Sequence, residues 1–213
     1  MRKPRVVLAD DHAMFAEALG RVVESECEVV ATVGDGRALV AAAEEHRPDL
    51  IVTDVSMPLL NGVEATRQIT KADPHVKVIV LTMHRSPEFA TQAFEAGASG
   101  YLLKHSASDE LLQAIREVQK GHHYVTPLIA KEFTRAMMER RDQSDHPAKA
   151  LTNREREVLQ LLAEGKTMKE AAAILGVSTK TVEFHKYNVT RKLDVRTTAE
   201  LTRYAIKHGL VSG

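Results

Sequence analysis

The chain has 213 residues, 44% of them hydrophobic, enough for one large or two small domains with real cores. Its single cysteine, Cys27, excludes an internal disulfide framework and suits a reducing compartment. The formal charge of zero hides a split: residues 1–125 hold 13 Lys/Arg and 18 Asp/Glu, a net −5, and residues 126–213 hold 16 and 11, a net +5.

Opposite signs in two halves point to two domains with different partners, nucleic acid for the basic one. No apolar run approaches the roughly 20 residues of a membrane span. Asp10 and Asp11 cut the N-terminal apolar run too early for a signal peptide. The expected compartment is the cytoplasm, with no membrane partner.

In chain order, the first half alternates short apolar runs with helical patterns. The runs are RVVLA (5–9), EVVATV (28–33), DLIVTD (49–54), KVIVLT (77–82) and GYLL (100–103). Helical periodicity falls near 12–24, 36–46, 62–71, 87–96 and 107–120. Five strands, each followed by a helix, predict a five-stranded, doubly wound parallel α/β sheet. In such sheets function sits beyond the carboxyl ends of the strands, where strand order reverses. That rule selects Asp10 and Asp11 after the first strand, Asp54 at the end of the third, Thr82 at the end of the fourth and Lys104 after the fifth.

Two adjacent carboxylates at the end of a buried strand repel unless a positive charge or water separates them. Three acids with one lysine suit a hard cation with oxygen ligands, Mg2+ first among them. A metal beside an aspartate screens an incoming phosphoryl group, and the carboxylate attacks it to give an acyl phosphate. Thr82 and Lys104 are then placed to bond the phosphoryl oxygens. His12 and His84 flank the site, but neither makes a metal-ligand spacing with a second histidine, so both read as surface residues or as residues supporting the site from behind its ligands.

LADDH, DVSMP, VLTMH and GYLLK, in this order and spacing, resemble a response-regulator receiver domain, flavodoxin-like in fold, over residues 4–120. The resemblance implies Asp54 as phosphoacceptor. It implies Mg2+ held by Asp11, Asp54 and the backbone carbonyl of Ser56, with Asp10 acting mostly through water. It also implies Thr82 and Tyr101 as a switch pair. Many receivers have proline after the lysine, whereas His105 follows Lys104 here.

TPLIAKEFTRAMMERR (126–141) reads as a connector helix opened by Pro127, and DQSDHPAKA (142–150) as a polar linker. The expected division is 1–122, 123–149 and 150–213. In the last part, Thr152–Glu155 and Thr167–Glu170 match capping boxes, and Gly165 and Gly176 close the two helices they open. Ser178 caps a third helix whose Val182, Val189 and Leu193 make an inward stripe. A fourth runs from about 197 to 207. The tight LGVS turn marks a helix-turn-helix, and Lys180, Lys186, Arg191 and Lys192 on the third helix suit phosphate contacts.

LTNREREVLQLLAEG and GVSTKTVEFHKYNVTRKL resemble the LuxR-type DNA-binding domain, an all-α four-helix unit, over residues 150–213. The whole chain is thus similar to a NarL/FixJ-type two-component response regulator. That likeness implies a sensor histidine kinase and double-stranded DNA as partners and a homodimer when active, with Leu201, Tyr204 and Ala205 at the dimer surface. Glu183, Phe184, Lys186 and Tyr187 lie opposite the inward stripe. The resemblance puts base reading at Glu183, Phe184 and Tyr187, with Lys180, Thr181, His185 and Lys192 nearer the DNA backbone.

Such a regulator is not a turnover enzyme. The alternatives are a Mg-dependent aspartate-nucleophile phosphohydrolase and a phosphorylation-independent DNA-binding regulator. The charge split carries one further expectation: the acidic receiver covers the basic third helix at rest.

Overall fold

The computed structural model describes residues 2–83, 85–105, 108–142 and 151–211. The expected linker, from 143 onward, and His84 lie outside them. In the first half, β1 (Arg5–Ala9), β2 (Glu28–Val33), β3 (Leu50–Asp54), β4 (Lys77–Thr82) and β5 (Gly100–Leu103) all run parallel. Strict alternation splits them between two cores. Val7, Ala9, Ile51, Val78 and Val80 face one side, while Val6, Leu8, Leu50, Val52, Ile79 and Leu81 face the other. Each buried Val, Leu or Ile contributes about 1.5–3 kcal/mol.

Helices α2 (Gly36–His46), α3 (Gly62–Ala72) and α4 (Pro87–Glu95) cover the first face. Helices α1 (Ala13–Val23) and α5 (Ser108–Gln119) cover the second. The strand order is β2-β1-β3-β4-β5-β6, so the chain reverses direction across the sheet between β1 and β3.

The sheet has six strands, not the expected five. The sixth, β6 (Tyr124–Val125), pairs Gly100 with Tyr124 and Tyr101 with Val125. Two residues make no apolar run, so only the pairing reveals this strand, which carries the sheet past residue 122. Thr126 N–H then donates to the Tyr101 carbonyl at 3.0 Å. The connector helix α6 (Pro127–Asp142) begins there and packs on α4, with the Phe133 and Phe94 ring centroids 5.0 Å apart.

The second half is a separate helical unit of α7 (Asn153–Ala163), α8 (Met168–Leu175), α9 (Thr179–Leu193) and α10 (Thr198–Lys207). Both expected capping boxes form, and Thr197 with Glu200 makes a third. Gly176 takes φ 64° at the end of α8, the left-handed turn that a glycine permits cheaply. Val182 and Val189 are buried, as the inward stripe requires.

The two halves meet through α7, not α9. Gln160 is fully buried: its Oε1 accepts from Asn61 N–H at 2.8 Å and from Asn61 Nδ2 at 3.1 Å, and its Nε2 donates to the Met57 carbonyl at 2.9 Å. Glu157 accepts from Arg37 and Gln68, and Glu64 from Arg156. Leu59 packs among the side chains of α7 and α8, and its N–H donates to Glu164 at 3.1 Å. Leu59 has φ 66°, which costs a branched residue roughly 1–2 kcal/mol. A second contact brings Gly209 against α4: a Cβ there would stand 2.8 Å from Phe89 Cε1.

This arrangement overturns the expected masking of the third helix. Phe184 and Tyr187 of α9 remain 61% and 62% exposed. The net charges of the halves do not choose the contact, because acids and bases from both sides interleave along α7. Leu201 and Ala205, expected at a dimer surface, close the core of their own domain instead.

Candidate phosphoacceptor site and nucleic-acid interface

The strand-end residues converge. Asp10 follows β1 and Asp54 ends β3, the two strands on either side of the reversal, and both are almost fully buried. Two buried carboxylates need a cation, and Lys104 supplies one. Its Nζ lies 2.6 Å from Asp10 Oδ2 and 2.8 Å from Asp54 Oδ2. The lysine is aimed by its own backbone, whose N–H donates to the Thr82 carbonyl at 2.7 Å, and by the Phe15 ring, 4.7 Å from Nζ. With His105 in place of proline, Lys104 still reaches the site.

Burial is the largest influence on Asp54 and raises its pKa, against the pull of Lys104 and of the Ser56 N–H. Burial also works against the Lys104 ammonium. The hydrogen bonds and charges of Asp10 and Asp54 outweigh it and hold Lys104 above its ordinary value.

Thr82 and Tyr101 are both fully buried, and their hydroxyls are hydrogen-bonded. Burial pushes the Tyr101 phenol up, and the Thr82 bond offsets part of that. Asp11 is exposed beside this cluster. The ligand atoms of Asp10, Asp11, His12 and Asp54 lie within 4.8 Å of one another. His12 is largely exposed, with Nδ1 2.8 Å from Asp11 Oδ1. Three carboxylates, with the Ser56 carbonyl two residues beyond Asp54 in the chain, are hard oxygen donors that fit Mg2+ better than a soft metal.

On α9, Lys180, Glu183, Phe184 and Tyr187 are exposed, while Thr181, His185 and Lys186 are half-buried. Ser178 caps the helix by accepting from Thr181 N–H. An apolar ring and a phenol left in water on a basic helix make an exposed patch of the kind that interaction sites present.

Lys192 stands apart from that face. Its Nζ lies 2.7 Å from Glu155 Oε2, and Glu155 is only 3% exposed. Burial is the largest influence on Glu155 and raises its pKa, but the bonds from Lys192 and Thr152 bring it below the ordinary value. Lys192→Ala is expected to lower the stability of this domain by about 1–2 kcal/mol. A carboxylate whose pKa is depressed on folding stabilises above its unfolded pKa and loses that contribution as pH falls through the folded one. The penalty should therefore be full at neutral pH and fade in acid. Urea unfolding of wild type and variant across that range checks it; a pH-independent difference contradicts the pairing.

Sequence reasoning missed the α7 contact. Glu157, Gln160 and Glu164 are polar residues at helical spacing, which normally means a face in water. The one available signal was Asn61, readable as the cap of α3 but not as a partner for a residue 99 positions away.

A parallel sheet with buried acids and a lysine at its reversal point, joined to a helix-turn-helix unit, defines the response-regulator class. The sequence matches the response regulator receiver domain over residues 6–116 and the luxR family of bacterial regulatory proteins over residues 149–205. The chain therefore belongs to the two-component response regulators with a LuxR-type DNA-binding domain.

The transcriptional regulatory protein DegU of Brevibacillus brevis is 37% identical over 98% of this chain and 95% of its own. Among solved structures, the RcsB response regulator of Salmonella typhimurium is 27% identical with a TM-score of 0.67, covering 98% of this chain and 99% of its own. A structure of two RcsB dimers bound to two parallel DNAs is 26% identical with a TM-score of 0.59, covering 97% and 99%.

Proposed function

We propose that Asp54 accepts a phosphoryl group from a sensor histidine kinase and that this event controls sequence-specific binding of double-stranded DNA by a homodimer in the cytoplasm. The observation that carries the reading is Lys104 bridging Asp10 and Asp54 beside the buried Thr82. Mg2+ would be held by Asp11, Asp54 and the Ser56 carbonyl, with Asp10 acting through water. When bound, it supplies charge to screen the phosphoryl oxygens. Asp54 Oδ attacks phosphorus, the bond from phosphorus to the donor breaks, and Lys104 and the Thr82 hydroxyl bond the transferred oxygens. Tyr101 follows Thr82 through their shared hydrogen bond.

Incubating the full chain with Mg2+ and a small acyl-phosphate donor should add one phosphoryl group per chain by intact mass. Multiple turnover of a general phosphatase substrate would favour a phosphohydrolase instead. DNA binding that ignores a confirmed phosphorylation would favour the phosphorylation-independent regulator.

For DNA, Glu183, Phe184 and Tyr187 are the base-reading residues, with Lys180, Thr181, His185 and Lys186 serving the backbone side of the interface, while Lys192, bonded to Glu155, adds to the positive field behind them. A carboxylate beside phosphates is repelled, so Glu183 makes sense as an acceptor from a cytosine amino group. Glu183→Ala should leave non-specific affinity equal or higher while losing roughly 1–3 kcal/mol of discrimination at one base pair. Lys180→Ala should weaken all sequences alike and make the salt dependence shallower by about one unit. A binding-site selection that returns unchanged preferences for Glu183→Ala removes its reading role.

A further inference from the structure

An apolar cavity of about 640 Å3 shares Lys104 with the phosphoacceptor cluster; Met14, Phe15, Met83 and His105 also line it. Among the described methionines only Met14, Met83 and Met138 are exposed, at 86%, 54% and 65%. Two of these three line the one cavity, and Met138, on α6, does not. Thr82 pairs with Leu103 in the sheet, so Met83 and Lys104 are the next positions along neighbouring strands. Leu81 and Leu102 face the α1 and α5 side, and alternation sends Met83 and Lys104 the same way. Lys104 Nζ lies within 2.8 Å of Asp10 and Asp54 and 4.7 Å from the centre of the Phe15 ring. A thioether is a weak acceptor and does not compete for that ammonium.

We infer that Met83 is an oxidation site that controls the phosphoacceptor chemistry through Lys104. The inference rests on the reading of Asp54 as phosphoacceptor and adds a regulation to it. The oxidant is a peroxide. The Met83 sulfur attacks one peroxide oxygen, the O–O bond breaks, and the leaving hydroxide takes a proton to become water. Sulfur gains an S–O bond and loses two electrons, which the peroxide accepts. The product is a polar sulfoxide, which methionine sulfoxide reductases return to the thioether. Its oxygen is a strong acceptor on the same side of the sheet as the Lys104 side chain. It draws the ammonium away from Asp10 and Asp54, and so from the oxygens of the group being transferred. Met57, close to Asp54 in the chain, is only 3% exposed and is shielded from the same oxidant.

The test treats the full chain with hydrogen peroxide and then with dithiothreitol. The second step reverses sulfenate on Cys27 and leaves sulfoxides in place. Cys27 is itself a slow target, because it is buried and burial pushes its thiol up to about 11. Peptide mass mapping gives the oxygen added at each methionine. The initial rate of phosphoryl gain with Mg2+ and a small acyl-phosphate donor is then read by intact mass. Met83→Leu removes the sulfur and keeps size and apolarity. Met138→Leu removes an equally open sulfur elsewhere.

Treated wild type is expected to gain the phosphoryl group about tenfold more slowly than untreated, the scale of one lost charge-assisted bond. Reductases acting on both sulfoxide epimers should restore the rate. Treated Met83→Leu should keep its untreated rate, and treated Met138→Leu should slow as wild type does. General oxidative damage would slow Met83→Leu as well, so that result overturns the inference. So does an unchanged rate in wild type whose Met83 carries the oxygen, or a Met83 left unoxidised while Met138 is oxidised. An untreated wild type that gains no phosphoryl group overturns the phosphoacceptor reading itself, and this inference with it.

Discussion

Asp54→Asn should leave the full chain with no mass gain after incubation with Mg2+ and an acyl-phosphate donor. The transfer needs a carboxylate oxygen to attack phosphorus, and an amide at the same place cannot form the acyl phosphate. Asp11→Ala should only reduce the yield, since it removes one ligand and leaves the nucleophile. A hydroxylamine-labile phosphoryl group on Asp54→Asn would mean that another residue is the acceptor.

The same substitution should make the metal-free chain more stable at neutral pH. Asp10, Asp54 and Lys104 together carry one uncompensated negative charge in a buried place. Burial holds the pKa of Asp54 above its unfolded value. A carboxyl raised in this way stabilises fully below the unfolded pKa, and that contribution is lost as pH rises through the folded one. The gain from Asp54→Asn should thus shrink as the solution is acidified. Thermal unfolding at several pH values, without divalent metal, reads both the sign and the trend.

Gly62→Ala should be among the most damaging single-methyl changes in the receiver. A Cβ at Gly62 would lie 1.8 Å from the Asp54 carbonyl oxygen and 3.0 Å from Thr53 Oγ1. The obstacle is backbone that carries the phosphoacceptor, so no side-chain rotation relieves it. Alanine at the start of α3 gains up to about 1 kcal/mol in helix propensity. Overpacking against rigid backbone costs more, and a net loss of about 2–3 kcal/mol is expected by urea unfolding. Gly20→Ala is the contrast. It lies inside α1, where the nearest atom to a new Cβ is Leu8 Cδ1 at 3.8 Å. There the same methyl should stabilise by about 0.5–1 kcal/mol. Equal effects at the two glycines would contradict the packing described around Asp54.

Much of the receiver was legible because its strands are buried on both faces and read as unbroken apolar runs. β1 and β5 begin and end at the expected residues, and β3 starts one residue later, at Leu50. The convergence of Asp10, Asp54, Thr82 and Lys104 followed from the strand-end rule alone, because parallel strands place their carboxyl ends on one edge. β6 escaped notice because two residues carry no periodic signal. The docking of α7 escaped for a different reason. Gln160 and Glu157 are buried only because residues about 100 positions away close over them, and neither periodicity nor charge counting contains that fact. Lys192 shows the same blindness on a smaller scale: its charge suggested a phosphate, and nothing in the sequence pointed to its bond with Glu155.

The fit between Gln160 and residues 57–61 also limits how freely the two halves can be exchanged. A hybrid that joins this receiver to the C-terminal half of a relative would keep both folds. Without glutamine at the position of 160, or without acids at 157 and 164, it would lose the bonds that register one domain against the other. Such hybrids should signal with altered set points rather than fail outright. Anyone building a sensor from this receiver should graft α7 with it, treating the helix as part of the input module despite its place in the DNA-binding fold.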